Sequence, residues 1–363
     1  MAGASAKSAG KGRTARVPKE INKQKAKEER AMRTKVWLKS MSLMCIGVLL
    51  VAVVTVFVTS NAEAKSVFPS KTITFVLPVS PGGGFDTVSR MIIPYLQKYL
   101  PGKPKIIVRN LPGGEWNIGI NKMYRAKPDG HTIAILNLPG NAVSQVIGTA
   151  KFDLNKITWL GNISQVIYVM AVSAKSKYKT LEDLKKAPEV TSGVVGLAST
   201  AGLGTIIAAE RMGVKMKPIP HDGSTEAILS AIRGDVDWVQ YPFSTLKKSI
   251  IDSHDLIPVW VYTKKRHELL PDVPTVTELG YGDLLDIITM YRPVGAPPGL
   301  PKDVARIWED AFWKATNDVE FQQKMLKRNH QVRPMTPEET AAMVSGAVVE
   351  VAKYKEVILK YRK

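Results

Sequence analysis

The chain has 363 residues, of which 51 are Lys or Arg and 32 are Asp or Glu, so its formal net charge is +19. This length suits one large domain or two α/β lobes, each with its own core. The only cysteine, Cys45, lies in an apolar run near the N-terminus, which excludes a disulfide, a thiolate nucleophile or a cysteine metal ligand from residue 65 onward.

The N-terminal part of the chain has the pattern of an export signal. Residues 1–40 contain twelve Lys or Arg and three Glu but few apolar residues, so we expect a disordered basic extension. The uncharged run Met41–Val58 and the small-residue site Ala62-Glu63-Ala64 follow. Together they predict a signal peptide over residues 41–64 that is cleaved after Ala64. An uncleaved membrane anchor is the alternative, because the run is about long enough to span a bilayer.

The chain from residue 65 onward keeps an excess of positive charge, with 39 basic and 28 acidic residues. Such an excess favours anionic solutes through long-range attraction, although it is too dispersed to identify one. A basic arm can bind nucleic acid, but an exported chain gives that activity no purpose, so we predict no nucleic-acid partner.

The first element after this segment is Thr72–Leu77, a short apolar run of β-forming residues that predicts a buried strand. Prolines and three consecutive glycines end the strand, and Asp86 or Thr87 is predicted to cap the helix that follows. A glycine loop before a helix N-terminus gathers free N–H groups, which suits an anion. A tight turn without a ligand explains the loop equally well. The glycine spacing matches neither a P-loop nor a dinucleotide-binding motif.

Strand and helix signals then alternate along the chain. Predicted strands at Lys105–Arg109, Thr132–Leu136 and Gly193–Leu197 are each followed by a polar or glycine-bearing loop. Repeated β-loop-α units imply a mainly parallel sheet with helices on both faces. Ligands of such sheets bind at the carboxyl ends of the strands, where these loops lie.

The remaining elements predict two α/β lobes. Ile167–Ser173 is extended and is predicted to cross into a second lobe, and Ile287–Val294 is predicted to be a strand that returns to the first. An apolar stripe from Val304 to Ala315 has helical spacing and indicates core packing. The predicted lobe 1 comprises residues 65–167 and 289–363, and the predicted lobe 2 comprises residues 168–288.

Three motifs support a family resemblance. The first is Pro78-x-x-Pro81-Gly82-Gly83-x-x-Asp86, with Arg90 in the next helix. The second is Asn110-x-Pro112-Gly113-Gly114 with Ile118-Gly119, and then Ala126-Lys127-Pro128-Asp129-Gly130-His131-Thr132. The third combines Gly234-Asp235-Val236-Asp237 with Leu270-Pro271-Asp272-Val273-Pro274-Thr275. Over nearly all of Lys71–Lys363, the chain resembles the Bug-type periplasmic receptors, which are the substrate-binding proteins of tripartite tricarboxylate transporters.

The resemblance implies a two-lobed, type II-like periplasmic-binding-protein fold with a ligand cleft between the lobes. It implies a periplasmic receptor that captures a small organic anion, typically a carboxylate, and delivers it to membrane permease subunits. We expect a monomer without a metal or cofactor. The implied ligand-binding residues lie on five loops and are Ser80, Gly82, Gly83, Gly84, Phe85, Asp86, Gly113, Gly114, Trp116, Asn137, Ser199, Thr200, Ala201 and Asp222.

The chain departs from the family pattern at two places. Family members usually carry small residues where Glu115 and Trp116 stand here. A glutamate that faced the cleft would repel a carboxylate, and a tryptophan would narrow the site or offer a stacking face. Leu203 and Gly204 occupy a region in which the family often has a histidine. The ligand therefore cannot be transferred from typical members.

Two other classes of protein are alternatives to a transport receptor. A secreted α/β enzyme is disfavoured because no histidines pair at metal-ligand spacing and no G-x-S-x-G motif surrounds Ser199. The group His221, Asp222 and Ser224 is better explained as a polar turn before a helix than as a catalytic set. An extracytoplasmic sensing subunit for a membrane kinase remains an alternative, because its binding chemistry would be identical.

Overall fold

The computed structural model describes residues 68–362, together with residues 23, 25, 27–38 and 41. The chain forms two compact units, Met1–Ser66 and Val67–Lys363. In the first unit, residues 27–38 are helical and exposed. Lys, Glu, Arg and Ala favour helix even without a core, and the disordered basic extension over residues 1–40 stays a prediction.

The predicted signal peptide over residues 41–64 and its cleavage site lie outside the described residues, apart from Met41. In the part of the chain that the structure describes, no helix combines the length and the apolarity needed to cross a membrane.

The second unit contains two β-sheets. In chain order the strands are β1 (Ile73–Leu77), β2 (Ile106–Asn110), β3 (Thr132–Ile135), β4 (Thr158–Val166), β5 (Tyr168–Ser173), β6 (Val190–Val194), β7 (Met216–Pro220), β8 (Trp238–Pro242), β9 (Leu256–Val261), β10 (Met290–Ala296) and β11 (Gln331–Met335). Sheet 1 has the order β11-β4-β10-β3-β1-β2, and sheet 2 has the order β7-β6-β8-β5-β9. We call the parts of the chain around these sheets lobe 1 and lobe 2.

Both sheets are mixed rather than mainly parallel. Strand β1 pairs in parallel with β2 and β3, and β6 pairs in parallel with β7 and β8. The pairs that include β4, β5 or β10 are antiparallel. The prediction of a mainly parallel sheet is wrong. Strands β5 and β10 enter their sheets from the other lobe and not through a β-loop-α crossover, and β4 pairs with β10 and β11 in the antiparallel direction.

The chain passes between the sheets at Ile167, which alone separates β4 from β5, and again between β9 and β10. The strand predicted at Ile287–Val294 begins only at Met290, because Leu285–Ile288 form a short helix. These crossings lie near the predicted lobe boundaries, which stay predictions.

The α-helices of this unit pack around the sheets. They are α1 (Gly84–Tyr99), α2 (Asn117–Tyr124), α3 (Ala142–Val146), α4 (Leu181–Lys186), α5 (Thr200–Met212), α6 (Ser224–Arg233), α7 (Phe243–Lys247), α8 (Leu285–Ile288), α9 (Lys302–Thr316), α10 (Val319–Lys327), α11 (Pro337–Ala352) and α12 (Lys355–Lys360). Capping boxes start α4 at Thr180 and α11 at Thr336, because each threonine is followed three residues later by an acidic side chain.

The apolar stripe predicted from Val304 to Ala315 is core. Trp308 and Phe312 on α9 are buried beside Phe75 and Leu96 of lobe 1. The terminal helix α12 packs instead on α5, which flanks sheet 2, and Lys360 Nζ lies 2.9 Å from a carboxylate oxygen of Glu210. The C-terminal segment therefore connects lobe 1 to lobe 2.

Candidate functional site

A cavity of about 560 Å³ is lined by loops of both lobes. Its walls contain eleven of the predicted ligand-binding residues: Ser80, Gly82, Gly83, Gly84, Phe85, Gly113, Trp116, Asn137, Ser199, Ala201 and Asp222. Asp86, Gly114 and Thr200 are not among the lining residues.

Five helices begin at this cavity, and the residue that caps each one lines it. These N-cap residues are Gly83 for α1, Trp116 for α2, Ser199 for α5, Gly223 for α6 and Pro242 for α7. Helix N-termini carry partial positive charge and unpaired N–H groups, so this convergence favours a negatively charged ligand.

Two of these helices, α1 and α6, have a glycine cap and no side-chain cap. In each, the acidic side chain of the first turn accepts from the amide that precedes the cap. Asp86 Oδ2 accepts from Gly82 N at 3.1 Å, and Glu226 Oε2 accepts from Asp222 N at 3.1 Å. The first-turn N–H groups therefore have no side-chain acceptor. The prediction that Asp86 or Thr87 caps α1 is wrong, because the helix already begins at Gly84.

Asp86 holds the glycine loop through the amide of Gly82 and does not line the cavity. Its carboxylate also accepts from Arg90 Nε at 2.9 Å and from Asn110 Nδ2 at 3.1 Å. Burial would raise the pKa of this carboxyl, but the hydrogen bonds from Arg90, Asn110 and Gly82 lower it below its ordinary value. Asp86 thus fixes the loop, while its charge is neutralised by Arg90.

Gly82 is the position in this loop that requires glycine, because its φ is +90°. Gly83 has φ −80° and nothing lies within 4 Å of where its Cβ would be. Gly83 therefore does not require glycine for its backbone conformation. A side chain at this position would instead project into open space at the cavity wall.

Arg292, on β10, is the main cavity residue that sequence reasoning missed. Its side chain is 1% exposed, and Nη1 donates to Ser164 Oγ at 2.9 Å. Nε is buried without a partner, and no carboxylate within residues 68–362 pairs with the guanidinium. Burial lowers the pKa of Arg292 to about 10, so it is still charged at neutral pH.

The guanidinium of Arg292 lies at the start of α1. A Cβ placed on Gly84 would be 3.4 Å from Nη2, and the guanidinium carbon lies 4.9 Å from the centre of the Phe85 ring. Phe85 in turn meets Trp116 edge-to-face, with ring centres 4.7 Å apart. The only hint in the sequence was a charged residue within an otherwise apolar strand. Other lining residues that were missed include Tyr168, Tyr241, Pro242, Thr245 and Met290.

Glu115 connects the two lobes. One carboxylate oxygen accepts from Leu197 N at 3.0 Å, and the other lies 4.0 Å from Arg362 Nη1 near the C-terminus. Glu115 and Trp116 both have positive φ, 52° and 78°, which turns this loop sharply into α2. The carboxylate lines the cavity, as expected if it faced the cleft, but one of its oxygens is committed to lobe 2.

Several of the residues predicted to contact a ligand instead form hydrogen bonds or packing contacts within the protein. Thr200 Oγ1 donates to Asn137 Oδ1 at 2.5 Å and accepts from Gly140 N at 3.2 Å, which joins the lobes beneath the cavity. Ser199 Oγ accepts from Gly202 N at 3.0 Å and caps α5. Gly114 packs near Ile118 and only supports the turn. These contacts depend on packing between lobes, which the sequence pattern does not reveal.

No group of three or more His, Cys, Asp or Glu side chains is placed to hold a metal ion within the described residues. His221 Nδ1 lies 2.9 Å from Ile219 O, which fixes the ring at the lobe 2 side of the cavity. With Nδ1–H donating to this carbonyl, Nε2 is left as an acceptor.

Comparisons with known proteins agree with this architecture. A family model described as the tripartite tricarboxylate transporter family receptor matches residues 88–361. A relative from Pseudomonas sp. strain P51, described as the UPF0065 protein in the tcbD-tcbE intergenic region, is 26% identical over 317 residues, covering 84% of this chain and 90% of the relative.

Solved structures share the fold. The periplasmic binding protein BugD superposes with a TM-score of 0.72 at 22% identity, covering 80% of this chain and 98% of BugD. MatC from Rhodopseudomonas palustris, solved with bound malate, superposes with a TM-score of 0.71 at 20% identity, covering 80% of this chain and 100% of MatC. The predicted two-lobed periplasmic-binding-protein fold is confirmed.

Proposed function

Because the chain belongs to the tripartite tricarboxylate transporter receptor family, as its motifs predicted, we propose that it binds a small organic carboxylate in the cavity between its lobes. It then presents this ligand to the membrane permease subunits of a tripartite transporter. The observation that carries the proposal is the buried, unpaired guanidinium of Arg292 at the N-terminus of α1.

A buried charge without a counter-ion is costly, and proteins keep such groups where a ligand or partner supplies the opposite charge. Within residues 68–362, Arg292 has one neutral hydrogen-bond partner, Ser164, and the cavity lies beside it. A carboxylate at this position would neutralise the guanidinium. It would also accept from the N–H groups at the start of α1, which no side chain caps. Each hydrogen bond to a charged group contributes about 1.5–3 kcal/mol.

The lobe 2 side of the cavity completes the proposed site. The N-cap residues Ser199 and Gly223 line it opposite the glycine loop of lobe 1, so that closure of the lobes would surround the ligand. The malate-bound relative MatC is consistent with a carboxylate ligand in this fold. We propose a periplasmic monomer, exported by a signal peptide cleaved after Ala64, that delivers its ligand without catalysis.

Titration calorimetry with carboxylates and their neutral amide analogues tests the proposal. The carboxylates should bind and the amides should not. Replacing Arg292 by Met should reduce affinity at least about 100-fold, since a charged hydrogen bond and a buried counter-charge are both lost. The unliganded variant should melt at or above the wild-type temperature, because an apolar side chain replaces an unpaired buried charge.

Arg306→Met is the matched control, because Arg306 is exposed on α9 and does not line the cavity. Its affinity should equal that of the wild type. Equal binding of amides and carboxylates, or unchanged affinity in a folded Arg292→Met protein, would contradict an anion site at Arg292.

A further inference from the structure

We propose that the ligand carries one carboxylate on an apolar, ring-sized body, and that the lobe 2 end of the cavity disfavours a second carboxylate. This inference rests on the proposed function, since it takes the carboxylate to lie at Arg292. It differs from the tricarboxylate that the family description suggests and from the malate bound to MatC, which carries two carboxylates.

The charges around the cavity suit a ligand with a single negative charge. Arg292 is the only Lys or Arg among the lining residues, whereas Glu115 and Asp222 are both acidic. One carboxylate at Arg292 leaves these two acidic side chains without a cation in the cavity wall. Glu115 has Arg362 at 4.0 Å behind the cavity wall, so a second carboxylate on the ligand would meet chiefly the charge of Asp222, which no cation offsets among residues 68–362.

The two tyrosine hydroxyls of the cavity wall are already committed to the protein. Tyr168 Oη donates to Met290 Sδ at 3.4 Å, and Tyr241 Oη donates to Gly193 O at 3.3 Å. Burial raises the pKa of both phenols, so they are neutral. These tyrosines therefore offer ring surface to the cavity, together with Phe85 and Trp116. Such a wall fits an apolar body the size of an aromatic ring.

The side chains at the lobe 2 end offer mainly acceptors and hydroxyls. His221 Nε2 is an acceptor in the tautomer that donates to Ile219 O, and the exposed Asp222 carboxylate has no side-chain partner within residues 68–362. Helix α6 begins here, but the Asp222 charge lies directly before its glycine cap and offsets the positive end of its dipole. A hydrogen or a hydroxyl on the ligand fits this end better than a carboxylate.

A series of para-substituted benzoates tests the inference by calorimetry on the full chain. Benzoate, 4-hydroxybenzoate and terephthalate share the ring and the first carboxylate and differ only at the far end. We expect benzoate and 4-hydroxybenzoate to bind, and terephthalate to bind at least about tenfold more weakly. Succinate should also bind more weakly than benzoate, because it lacks the ring and carries a second charge.

The possible failures are distinguishable. Tighter binding of terephthalate or succinate than of benzoate would overturn the inference and leave the carboxylate receptor standing. Benzyl alcohol binding as tightly as benzoate would overturn both, because no carboxylate would be needed. Absence of binding by all three benzoates would overturn the inference that the ligand has a ring-sized body. If a carboxylate of another shape still bound, the proposed function would stand.

Asp222→Asn isolates the repulsive charge. The variant should bind terephthalate about threefold to tenfold more tightly than the wild type does, because a like charge close to the second carboxylate is removed. Its affinity for benzoate, which carries no charge at the far end, should rise by a smaller factor than its affinity for terephthalate. Asp272→Asn is the matched control, since Asp272 is also exposed but does not line the cavity. An equal effect of both variants on terephthalate, or none from Asp222→Asn, would contradict the assignment.

Discussion

At the residue scale, the candidate site depends on how two buried charged side chains are neutralised. Asp86 is 5% exposed and accepts hydrogen bonds from Gly82 N, Arg90 and Asn110. Arg292 is similarly buried but finds no carboxylate among the described residues. The first residue therefore stabilises the fold, whereas the second has a charge available for a ligand.

The contribution of Asp86 to the free energy of unfolding should depend on pH. Because its folded-state pKa is depressed, this stability is present above the ordinary pKa of 3.8 and is lost as pH falls through the lower folded value. Asp86→Leu should cost about 1.5–3 kcal/mol at pH 7, since it leaves the partners of the carboxylate unsatisfied. Asp86→Asn should cost less free energy of unfolding than Asp86→Leu. The stability of this variant should also fall less than that of the wild type as the pH is lowered.

Urea denaturation between pH 3 and pH 7 measures this effect, with Asp272→Asn as the exposed control. Ligand affinity of Asp86→Asn at pH 7 should stay within about twofold of the wild type, because Asp86 does not line the cavity. An unchanged pH dependence of stability in this variant would show that Asp86 is not the titrating group.

At the scale of single elements, α1 in lobe 1 and α6 in lobe 2 begin with the same arrangement of residues. Each starts with a glycine N-cap at the cavity, and each turns its first acidic side chain back onto the preceding amide. They differ in their surroundings, because Arg292 lies beside the start of α1 and Asp222 precedes the start of α6. The carboxylate of the ligand is therefore expected at α1.

Gly83→Val and Gly223→Val form a matched pair that locates the carboxylate. Both glycines have extended backbone dihedrals, and both have open space where a Cβ would lie, so valine should be tolerated by the fold. Gly83→Val should reduce carboxylate affinity at least about tenfold, because its side chain would lie over the first-turn N–H groups. Gly223→Val should reduce affinity less.

Calorimetry on both variants, with folding checked by circular dichroism, gives the comparison. A larger loss in Gly223→Val would place the carboxylate at α6. Unchanged affinity in both variants would mean that the glycine loops are turns without a ligand.

At the scale of the whole second unit, lobe 1 and lobe 2 are joined by a few specific polar contacts at the edge of the cavity. Thr200 bonds to Asn137 and to the amide of Gly140, and Glu115 accepts from Leu197 N. Helix α12 adds Arg362 beside Glu115. Contacts of this kind set the free-energy difference between closed and open arrangements of the lobes.

Glu115→Ala should weaken closure, because it removes the acceptor of Leu197 N. A net loss of about 1 kcal/mol corresponds to an affinity about fivefold lower. Hydrogen exchange of a peptide containing Leu197 should also become faster in the unliganded protein. Glu309→Ala, an exposed substitution on α9, should change neither quantity. Normal exchange at Leu197 together with normal affinity would show that Glu115 does not hold the lobes together.

Features encoded by neighbouring residues were determined by the sequence alone. The strand β1 with its glycine loop, the capping boxes at Thr180 and Thr336 and the family motifs are all local patterns. Backbone dihedral preferences and side-chain capping act within a few residues, so they can be inferred without a fold. The same locality explains why eleven of the predicted ligand-binding residues line one cavity: they lie on loops at the ends of predicted strands.

Features that depend on distant residues were decided only by the tertiary structure. Arg292 lies beside Gly84 because β10 returns from lobe 2 into sheet 1, and the antiparallel direction of that strand follows from the same return. Thr200 and Asn137 bond to each other, and Glu115 reaches Leu197, because the lobes pack at these loops. No local pattern specifies these contacts, since which groups meet across a cleft is set by the packing of whole lobes and not by the propensities of the segments that carry them.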